Sequence, residues 1–472
     1  MAERMAQRRF DSICDLCLMP APGYVEPQGQ DVYLMRNCPQ HGLRRFLVSR
    51  NGEDFVRFDA FYHRIFPSDG PVHPPANSYF FITDACNLGC SYCLNEANAH
   101  AYFGRYDLER FAADVQAWPG PCVGLVGGEP FSHPKFFEFA RIVHAHGKRL
   151  RVCTNGLALA YADTMRRLIE VSGGDCEVRM TFEGFDPEAY TCFPVARVME
   201  RKVAALENLR AHNIPTALCL TFDPESSRLP ASVRHRRMRG VLDYALQHDF
   251  VRAIAFQNAV AVGGARELES LDVISVDRCM DDIVAIMPDH PLRRHAYVGQ
   301  KLMGVVTSLL RLPLCENTMH ASLFRVGSQW VSLDHFLDCD ALDRHLERML
   351  ARSPSSRLRL AMALLVALAV SARWRRAPSF LLLAAQIWPV FWHGLDMSRT
   401  PRSVLPIAAT TACDRYNFDA SIARRCDKWG NSVVRGQVVT ELLSEMTIRQ
   451  LRERELPAAM ATTSPAELHV DR

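Results

Sequence analysis

The chain has 472 residues, of which 48% are hydrophobic and 23% are charged, close to the average for a globular protein. This balance excludes a largely disordered chain and a collagen-like one. The formal net charge is +3 without a block of like charges, so we expect no nucleic-acid partner. The N-terminal residues lack the apolar core of a signal peptide, which predicts a cytoplasmic protein. In that setting, sixteen cysteines indicate metal, cluster or catalytic roles rather than disulfides.

Four potential metal ligands lie near the N-terminus in two closely spaced pairs. Cys14 and Cys17 are followed by Cys38 and His41, in a C-x2-C-x20-C-x2-H spacing. Each pair can close a tight turn, and together the pairs can supply four tetrahedral ligands for zinc or for a rubredoxin-like iron. The spacing predicts a metal site that stabilises this small segment, with unrelated thiols as the alternative.

A second cysteine group follows the apolar run at residues 78–82. Cys86, Cys90 and Cys93 have a C-x3-C-x2-C spacing, and Tyr92 precedes the last of them. Iron–sulfur clusters are usually held by four thiolates, so three thiolates from one loop would leave one iron of a cubane cluster open to an exchangeable ligand. An open iron indicates a cluster that does chemistry. A zinc site is the alternative, although zinc knuckles favour C-x2-C pairs.

Glycines and polar residues end the next three apolar runs. The run at 122–126 ends in Gly-Gly-Glu-Pro, where glycines let the backbone approach a ligand closely and the glutamate can accept from an ammonium group. The following runs end in Thr-Asn-Gly and in Thr-Phe-Glu-Gly. The first of these ends consists of Gly127, Gly128, Glu129 and Pro130, and on its own it could also be an ordinary strand-to-helix turn.

Short β-rich runs alternate with helix-patterned stretches between residues 77 and 257. Six such alternations predict a parallel sheet with right-handed crossovers, and so an α/β fold. A partial (β/α)6 TIM-like barrel fits best, and in such barrels the site lies at the C-terminal ends of the strands. The β-rich runs lie at about 77–84, 122–127, 150–154, 176–182, 216–222 and 252–257.

Two apolar stretches follow the predicted barrel. Residues 360–372 and 377–392 are uncharged, but neither reaches the roughly 20 residues that a spanning helix needs. One interpretation is a helical hairpin that covers the barrel. The other is a membrane-facing or lipid-admitting surface with Trp374, Trp388 and Trp392 at the interface.

The pattern of Cys86, Cys90, Tyr92 and Cys93 resembles the CxxxCxxC motif of the radical S-adenosylmethionine (SAM) superfamily. The resemblance implies a [4Fe-4S] cluster whose open iron binds SAM, reductive cleavage to a 5′-deoxyadenosyl radical, and hydrogen abstraction from an unactivated carbon. It also implies that the Gly-Gly-Glu-Pro segment contacts the SAM amino group. Polar ribose contacts are implied at the next strand ends, namely at Thr154, Asn155, Thr181 and Glu183.

The sixth strand narrows the resemblance to a subgroup that includes the tetraether lipid synthase. Phe256, Gln257, Gly263, Gly264 and Arg266 resemble its FQP…GR signature. The N-terminal metal knuckle, a cysteine-led hairpin after the barrel and the segment TTACDRYNFDASIARRC also match, so the resemblance covers roughly residues 10–430. It implies Gln257 as a further cofactor contact. Cys315 and Cys426 are implied as ligands of an auxiliary cluster, with simple buried thiols as the alternative, since the subgroup's C-terminal Pro-Phe-Cys element is absent.

The resemblance implies a radical SAM enzyme that forms a C–C bond or methylates an unactivated carbon of a small molecule or a lipid chain. A reductase, ferredoxin or flavodoxin would supply electrons, and peripheral contact with a membrane is a further expectation. The alternative is a non-catalytic iron–sulfur protein for electron transfer or redox sensing. The expected divisions are a knuckle and linker at 1–75, a radical SAM core at 76–270, a post-barrel segment at 271–345, apolar helices at 346–400 and a C-terminal segment at 401–472.

Overall fold

The structure is a computed structural model. It describes residues 9–65, 77–95, 97–98, 106–223, 226, 228–265, 269, 275–287, 292–312, 318–351, 356–392, 399–411, 414–420, 422, 431–434 and 437–439.

A four-stranded antiparallel sheet forms the N-terminal unit. Its strands are paired in chain order, and helix α1 (Gly52–Ile65) follows them. Alternate side chains of the sheet face a small apolar cluster that includes Phe10, Val32, Leu34 and Phe46, as expected for strands with one buried face. The strands are β1 (Arg9–Ile13), β2 (Pro20–Gln28), β3 (Asp31–Cys38) and β4 (Gly42–Ser49).

Six parallel strands form the centre of the second sheet. Their order in the sheet is their order in the chain. The strands are β5 (Asn77–Thr83), β6 (Cys122–Gly127), β7 (Arg149–Thr154), β8 (Cys176–Thr181), β9 (Thr216–Phe222) and β10 (Val251–Asn258). Helices α2 (Leu108–Ala117), α3 (Phe136–Ala145), α4 (Ala162–Ser172), α5 (Val198–Ala211) and α6 (Ala231–Gln247) lie between successive strands. The predicted α/β class with six strand–helix repeats is confirmed.

One face of this sheet packs against the helices and makes the main core. Ile254 and Phe256 of β10 belong to the same cluster as Met238 and Val241 of α6. Side chains alternate along a strand, so the neighbouring residue Gln257 faces the other side, toward the lumen of the barrel. The helix-facing side supplies hydrophobic stability, and the lumen side is left for chemistry.

Short strands after the barrel extend the sheet to eleven strands in the part of the chain that the structure describes. β13 (Val404–Thr410) is parallel to β10, β11 (Thr318–Val326) is antiparallel to β13, and β12 (Gln329–Val331) makes a hairpin with β11. At the opposite edge, β14 (Asn431–Val434) is parallel to β5 and pairs with β15 (Gln437–Val439). The hairpin was expected from the subgroup resemblance, whereas the pairing of β13 and β14 with the barrel strands was not.

Five helices lie in the described part of the chain after β10. They are α7 (Val276–Ala285), α8 (Leu292–Leu310), α9 (Cys339–Ala351), α10 (Arg357–Ser371) and α11 (Ala377–Trp392). The last two correspond to the predicted apolar stretches and pack against a second apolar cluster around Phe336 and Leu342. Among the helices that the structure describes, none combines the length and apolar character required to cross a bilayer.

Candidate active site

The sequence-predicted site residues gather at one edge of the large sheet. The loop with Cys86, Cys90 and Cys93 follows β5, Glu129 follows β6, Asn155 follows β7 and Glu183 follows β8. Because β5–β8 are parallel, these four positions are at the same end of neighbouring strands, which is where barrel enzymes place their sites.

The cysteine loop is held by its own backbone and by one asparagine. The N–H of Cys93 donates to the carbonyl of Cys90 over 3.3 Å. The side chain of Asn98 accepts from the N–H of Cys86 over 2.9 Å and donates to its carbonyl over 2.7 Å. All three cysteines are half-buried, so a bound group could reach each thiol. Sequence reasoning missed Asn98 because its partner lies twelve residues away in an irregular loop.

Two glycines after β10 press against the cysteine loop. The N–H of Gly264 donates to the carbonyl of Cys93 over 3.0 Å. A Cβ at Gly263 would lie 2.5 Å from that same carbonyl oxygen, and a Cβ at Gly264 would overlap the carbonyl oxygen of Ser91. The subgroup's glycine signature therefore has a packing reason here. Arg266 lies outside the described residues.

The glycines of the Gly-Gly-Glu-Pro segment pack in a similar way. Gly127 has a φ of 138°, and a Cβ there would overlap the carbonyl oxygen of Thr83. The N–H groups of Gly128 and Glu129 donate to the carbonyls of Thr83 and Ala85, each over 2.8 Å. We predicted close approach to a ligand, and the structure shows close approach between the end of β6 and the start of the cysteine loop. Pro130 is buried at the start of a short 3-10 turn.

Glu129 joins the ends of β6 and β7. Its Oε1 accepts from the Thr154 hydroxyl over 2.7 Å and from the Phe131 N–H over 3.2 Å, and its Oε2 accepts from the Asn155 N–H over 2.7 Å. Only 1% of Glu129 is exposed, and burial raises the pKa of this carboxyl although the three donors oppose that shift. A carboxylate has about four acceptor positions. Within the described structure Oε2 has a position left for a further donor, such as an ammonium group.

Asn155 connects the strand ends to the cysteine loop. Its Nδ2 donates to Oδ1 of Asn87 over 2.7 Å and lies 4.0 Å from Sγ of Cys86, while its Oδ1 accepts from the N–H of Leu157 over 3.0 Å. Asn155 was predicted as a site residue, whereas Asn87 was not. The position of Asn87 directly after Cys86 is the one signal that could have identified it.

Thr181 and Glu183 both accept hydrogen bonds from a buried lysine. Nζ of Lys202 donates to Oε2 of Glu183 over 2.6 Å, to the Thr181 carbonyl over 2.9 Å and to the Thr181 hydroxyl over 3.1 Å. Lys202 has no exposed surface. Sequence reasoning missed it, yet it lies four residues from Val198 and from Leu206 on the apolar face of α5, where a lysine is unusual.

The lumen side of β9, β10, β13 and β11 is lined by small and polar side chains. Thr221, Gln257, Thr410 and Thr318 are register neighbours across these strands, and the hydroxyls of Thr318 and Thr410 are 2.9 Å apart. The next row along the strands contains Cys219, Ala255, Ala408 and His320. Small side chains leave room above the sheet, and the polar ones offer hydrogen bonds.

Arg179 and His320 are two of the basic side chains on this side of the sheet. Arg179 of β8 donates to the hydroxyl of Tyr79 over 2.9 Å. Burial lowers the pKa of His320 to about 4, so this imidazole is neutral near pH 7. The lumen can therefore bind a ligand that carries polar, hydrogen-bonding groups.

The N-terminal knuckle brings its four predicted ligands together. The ligand atoms of Cys14, Cys17, Cys38 and His41 all lie within 4.8 Å of one another. The Sγ atoms of Cys17 and Cys38 are 3.7 Å apart, and Nδ1 of His41 is 3.5 Å from Sγ of Cys14 and of Cys38. Tetrahedral zinc with bonds of about 2.3 Å to sulfur and about 2.0 Å to nitrogen requires edges of about 3.5–3.8 Å. The donor set therefore fits zinc.

The segment around Asp414 connects this knuckle to the barrel. Asp414 is fully buried, and its carboxylate accepts from the N–H groups of Tyr416 over 2.8 Å and Asn417 over 3.0 Å. The guanidinium of Arg36 in β3 donates to the carbonyl of Tyr416 over 2.7 Å. Ser12 in β1 donates to the carbonyl of Phe418 over 2.6 Å. Cys315 and Cys426, the predicted ligands of an auxiliary cluster, lie outside the described residues.

Comparison with known proteins agrees with this arrangement. Residues 80–227 match the radical SAM superfamily, and residues 7–50 match the HMPTM N-terminal zinc ribbon domain. The chain therefore contains a radical SAM domain preceded by a zinc ribbon, which confirms the resemblance seen in the sequence.

The relatives divide between methyl transfer and other reactions. Over 290 residues the chain is 22% identical to 7,8-dihydro-6-hydroxymethylpterin dimethyltransferase of Methanocaldococcus jannaschii, covering 56% of each protein. Over 145 residues it is 28% identical to AdoMet-dependent heme synthase of Methanosarcina barkeri, covering 28% of this chain and 39% of that one. The matches therefore span about half of the first relative's length and less than half of the second's. SuiB of Streptococcus suis, solved with bound S-adenosylmethionine, has a TM-score of 0.37 and 11% identity, covering 46% of this chain and 47% of its own.

Proposed function

We propose that this protein is a radical SAM enzyme that methylates, or forms a C–C bond at, an unactivated carbon. The observation that carries the proposal is the cysteine loop beside the buried Glu129–Thr154–Asn155 cluster, at one edge of the sheet within a radical SAM domain. The [4Fe-4S] cluster and SAM, when bound, supply the radical chemistry. The first relative's name adds support for methylation.

The residues of the site have separate roles in this proposal. Cys86, Cys90 and Cys93 hold three irons of the cluster, since their thiols are half-buried on one loop. Tyr92 shields the loop from water, because its ring packs 6.3 Å from that of Phe193. Glu129 accepts from the SAM ammonium group at its remaining Oε2 position.

The other predicted contacts keep their proposed roles. Thr154 and Asn155 orient SAM, and Gln257 faces the space above the sheet next to it. Thr181 and Glu183 are proposed ribose contacts, with Lys202 holding both in place. The metal knuckle serves as a structural zinc site. An auxiliary cluster on Cys315 and Cys426 stays a proposal, as do the sequence divisions at residues 75, 270, 345 and 400.

The lumen favours a small polar substrate. Arg179, His320 and Gln257 face the same compartment as small side chains such as Ala255. A ligand with ring or carbonyl acceptors would pair with Arg179. A pterin-like substrate, such as the one in the name of the Methanocaldococcus jannaschii relative, would meet this requirement. A lipid chain is the second candidate, and the exposed apolar side chains of α10 and α11 favour it.

Electron supply is the partner function that this chemistry requires. We propose a reductase, ferredoxin or flavodoxin as the one-electron donor. The other class of function is a non-catalytic iron–sulfur protein for electron transfer or redox sensing. Such a protein would not need the buried Glu129 carboxylate and the residues that hydrogen-bond to it.

Production of 5′-deoxyadenosine tests the proposal. The protein is reconstituted anaerobically with iron and sulfide, given SAM and dithionite, and assayed by chromatography. We expect product from the native chain and none from Cys90→Ala. Cys122→Ala is the matched control, since Cys122 is a fully buried thiol outside the loop, and it should retain product. A fully clustered native sample that makes no 5′-deoxyadenosine would overturn the proposal in favour of electron transfer.

A further inference from the structure

Exposed apolar side chains are concentrated on helices α10 and α11 and the turn between them. Fourteen large hydrophobic side chains are exposed in the described structure, and nine of them lie between residues 358 and 388. We call these nine the apolar surface: Leu358, Met362, Leu365, Val366, Val370, Trp374, Leu381, Leu382 and Trp388. Apolar patches on monomers rarely exceed a few hundred Å², and larger ones mark interaction sites.

The two helices are fixed to the protein by their inner faces. α10 buries Leu364 and Ala367, and α11 buries Leu383 and Val390. The Phe380 ring of α11 also lies 5.9 Å from that of Phe336. A surface helix of a globular protein normally places polar residues on the side opposite its buried stripe. Here the outer side is apolar as well, with Leu358 74% exposed and Trp374 70% exposed.

The charge of this segment is positive, although Arg373 forms an ion pair with Asp334 of the preceding turn over 3.0 Å. Residues 356–392 contain five arginines and no aspartate or glutamate. The whole chain has a net charge of +3, so the remainder of the chain is net acidic. Three of the arginines, Arg373, Arg375 and Arg376, flank Trp374 in the turn between the helices. Arginine and tryptophan next to an apolar face are typical of helices that lie in the interface of a membrane.

We propose that the apolar surface docks on the headgroup region of a membrane that contains anionic lipids. This contact goes beyond the proposed reaction and does not depend on it. The positive charge of the segment complements phosphate and carboxylate headgroups, and the outer leucines and tryptophans enter the boundary with the acyl chains. α11 has 16 residues and so a length of about 24 Å, less than the roughly 30 Å of a hydrocarbon core. The helices therefore lie on the membrane and do not cross it.

A second copy of the chain fits the same surface poorly. A twofold interface places the same patch on both sides. It would bring the arginine-rich turn around Trp374 near its copy, and residues 356–392 contain no carboxylate to separate the two turns. Like charges that face each other oppose such a complex.

Flotation with vesicles tests the proposal on the full chain. We expect the protein to float with vesicles of phosphatidylcholine mixed with phosphatidylserine, more weakly with phosphatidylcholine alone, and less at high salt. Leu381→Ser combined with Leu382→Ser should lower the partition by about tenfold or more, because both side chains leave the lipid boundary. Both residues are more than 60% exposed, so the fold should tolerate the change. Arg375→Glu should weaken binding to the anionic vesicles and leave binding to the phosphatidylcholine vesicles unchanged.

Leu43→Ser is the matched control, since Leu43 is 59% exposed on the N-terminal sheet, and its partition should equal that of the native chain. Thermal unfolding of each variant checks its fold. Absence of flotation with both vesicle types, or an unchanged partition of the double variant, would overturn the proposal. A dimer in light scattering that the double variant abolishes would overturn it in favour of self-association. The yield of 5′-deoxyadenosine without vesicles is independent of all these outcomes.

Discussion

The carboxylate of Asp414 accepts a hydrogen bond from the backbone N–H of Ala261, with Oδ2 and N 3.1 Å apart. Ala261 belongs to the loop after β10, whose next residues include Gly264, the donor to the carbonyl of Cys93. Arg36 of the zinc ribbon donates to Tyr416, two residues from Asp414. A continuous set of hydrogen bonds therefore runs from the ribbon through the Asp414 segment to the cysteine loop.

Gly264→Ala should displace the cysteine loop. The added Cβ overlaps the carbonyl oxygen of Ser91 and lies 3.1 Å from the N of Cys93, and overpacking of this kind costs about 1–3 kcal/mol. We expect a lower iron content after reconstitution and a lower unfolding temperature. Gly299→Ala in α8 is the control, because a Cβ there meets nothing within 4 Å, and it should keep full iron content and gain about 0.5–1 kcal/mol. Equal iron in both variants would contradict the role of Gly264.

Glu129→Gln should weaken SAM binding and destabilise the protein. The amide nitrogen of glutamine would face the Thr154 hydroxyl or the Asn155 N–H, which now donate to the carboxylate. An unsatisfied buried donor costs about 1–3 kcal/mol. Isothermal titration with SAM and chemical denaturation measure the two effects. Glu138→Gln, at an exposed position of α3, should change neither. Native SAM affinity in Glu129→Gln would remove Glu129 from the proposed site.

Lys202→Met should destabilise the protein more than most single substitutions do. It leaves Glu183, which is 5% exposed, as a buried carboxylate without its cation, and breaking a buried ion pair costs about 3–5 kcal/mol. Adding Glu183→Leu should recover part of the loss, because no charge then stays buried. Denaturant unfolding measures all variants, with Lys135→Met at an exposed position as the control. If the double variant were less stable than Lys202→Met, the lost ion pair would not be the cause.

His320 should make the protein less stable in acid. Burial lowers its pKa to about 4 from the usual value of about 6.5 for histidine. Between these values the unfolded chain binds a proton that the folded chain does not, so the free energy of unfolding falls as pH falls. From about pH 7 to about pH 5 this contribution is about 2 kcal/mol at most, and below pH 4 it adds no further slope. His320→Gln should remove this part of the pH dependence in urea denaturation. An identical pH profile in the variant would show that His320 titrates normally.

Loss of one zinc ligand should abolish metal binding by the ribbon. Cys14→Ala leaves three of the four ligand atoms that now lie within 4.8 Å of one another. Structural zinc supplies apparent binding free energies of about 10–16 kcal/mol in zinc-finger peptides, and this energy is also folding energy. We expect one metal ion per chain to be lost in elemental analysis, together with a separate low-temperature unfolding step. Cys122→Ala should retain the metal, and retention by Cys14→Ala as well would place the metal elsewhere.

The parts of the fold that repeat locally could be predicted from the sequence. Six strand–helix repeats and the spacing of Cys14, Cys17, Cys38 and His41 are local patterns, and the structure has both. The cysteine loop and the strand ends also come together as expected, because parallel strands align their ends.

Features that depend on distant partners could not be predicted. The ion pair of Lys202 with Glu183 is formed across two elements, and Asn98 reaches back over an irregular loop. β13 joins β10 through a pairing of residues about 150 positions apart, for which a short apolar run carries no local signal. Gly127 and Gly264 were recognised as special, but whether a glycine admits a ligand or another backbone depends on the fold.

The hydrogen bond between Ser12 and Phe418 joins residues 406 positions apart. A ribosome makes Ser12 long before Phe418, and units that are made earlier generally fold as they emerge. We expect the ribbon to fold before the Asp414 segment has been made, whereas the fastening of the cysteine loop waits for that segment. We therefore expect the cysteine loop to take its final shape, and so its readiness for a cluster, only after the ribbon has folded.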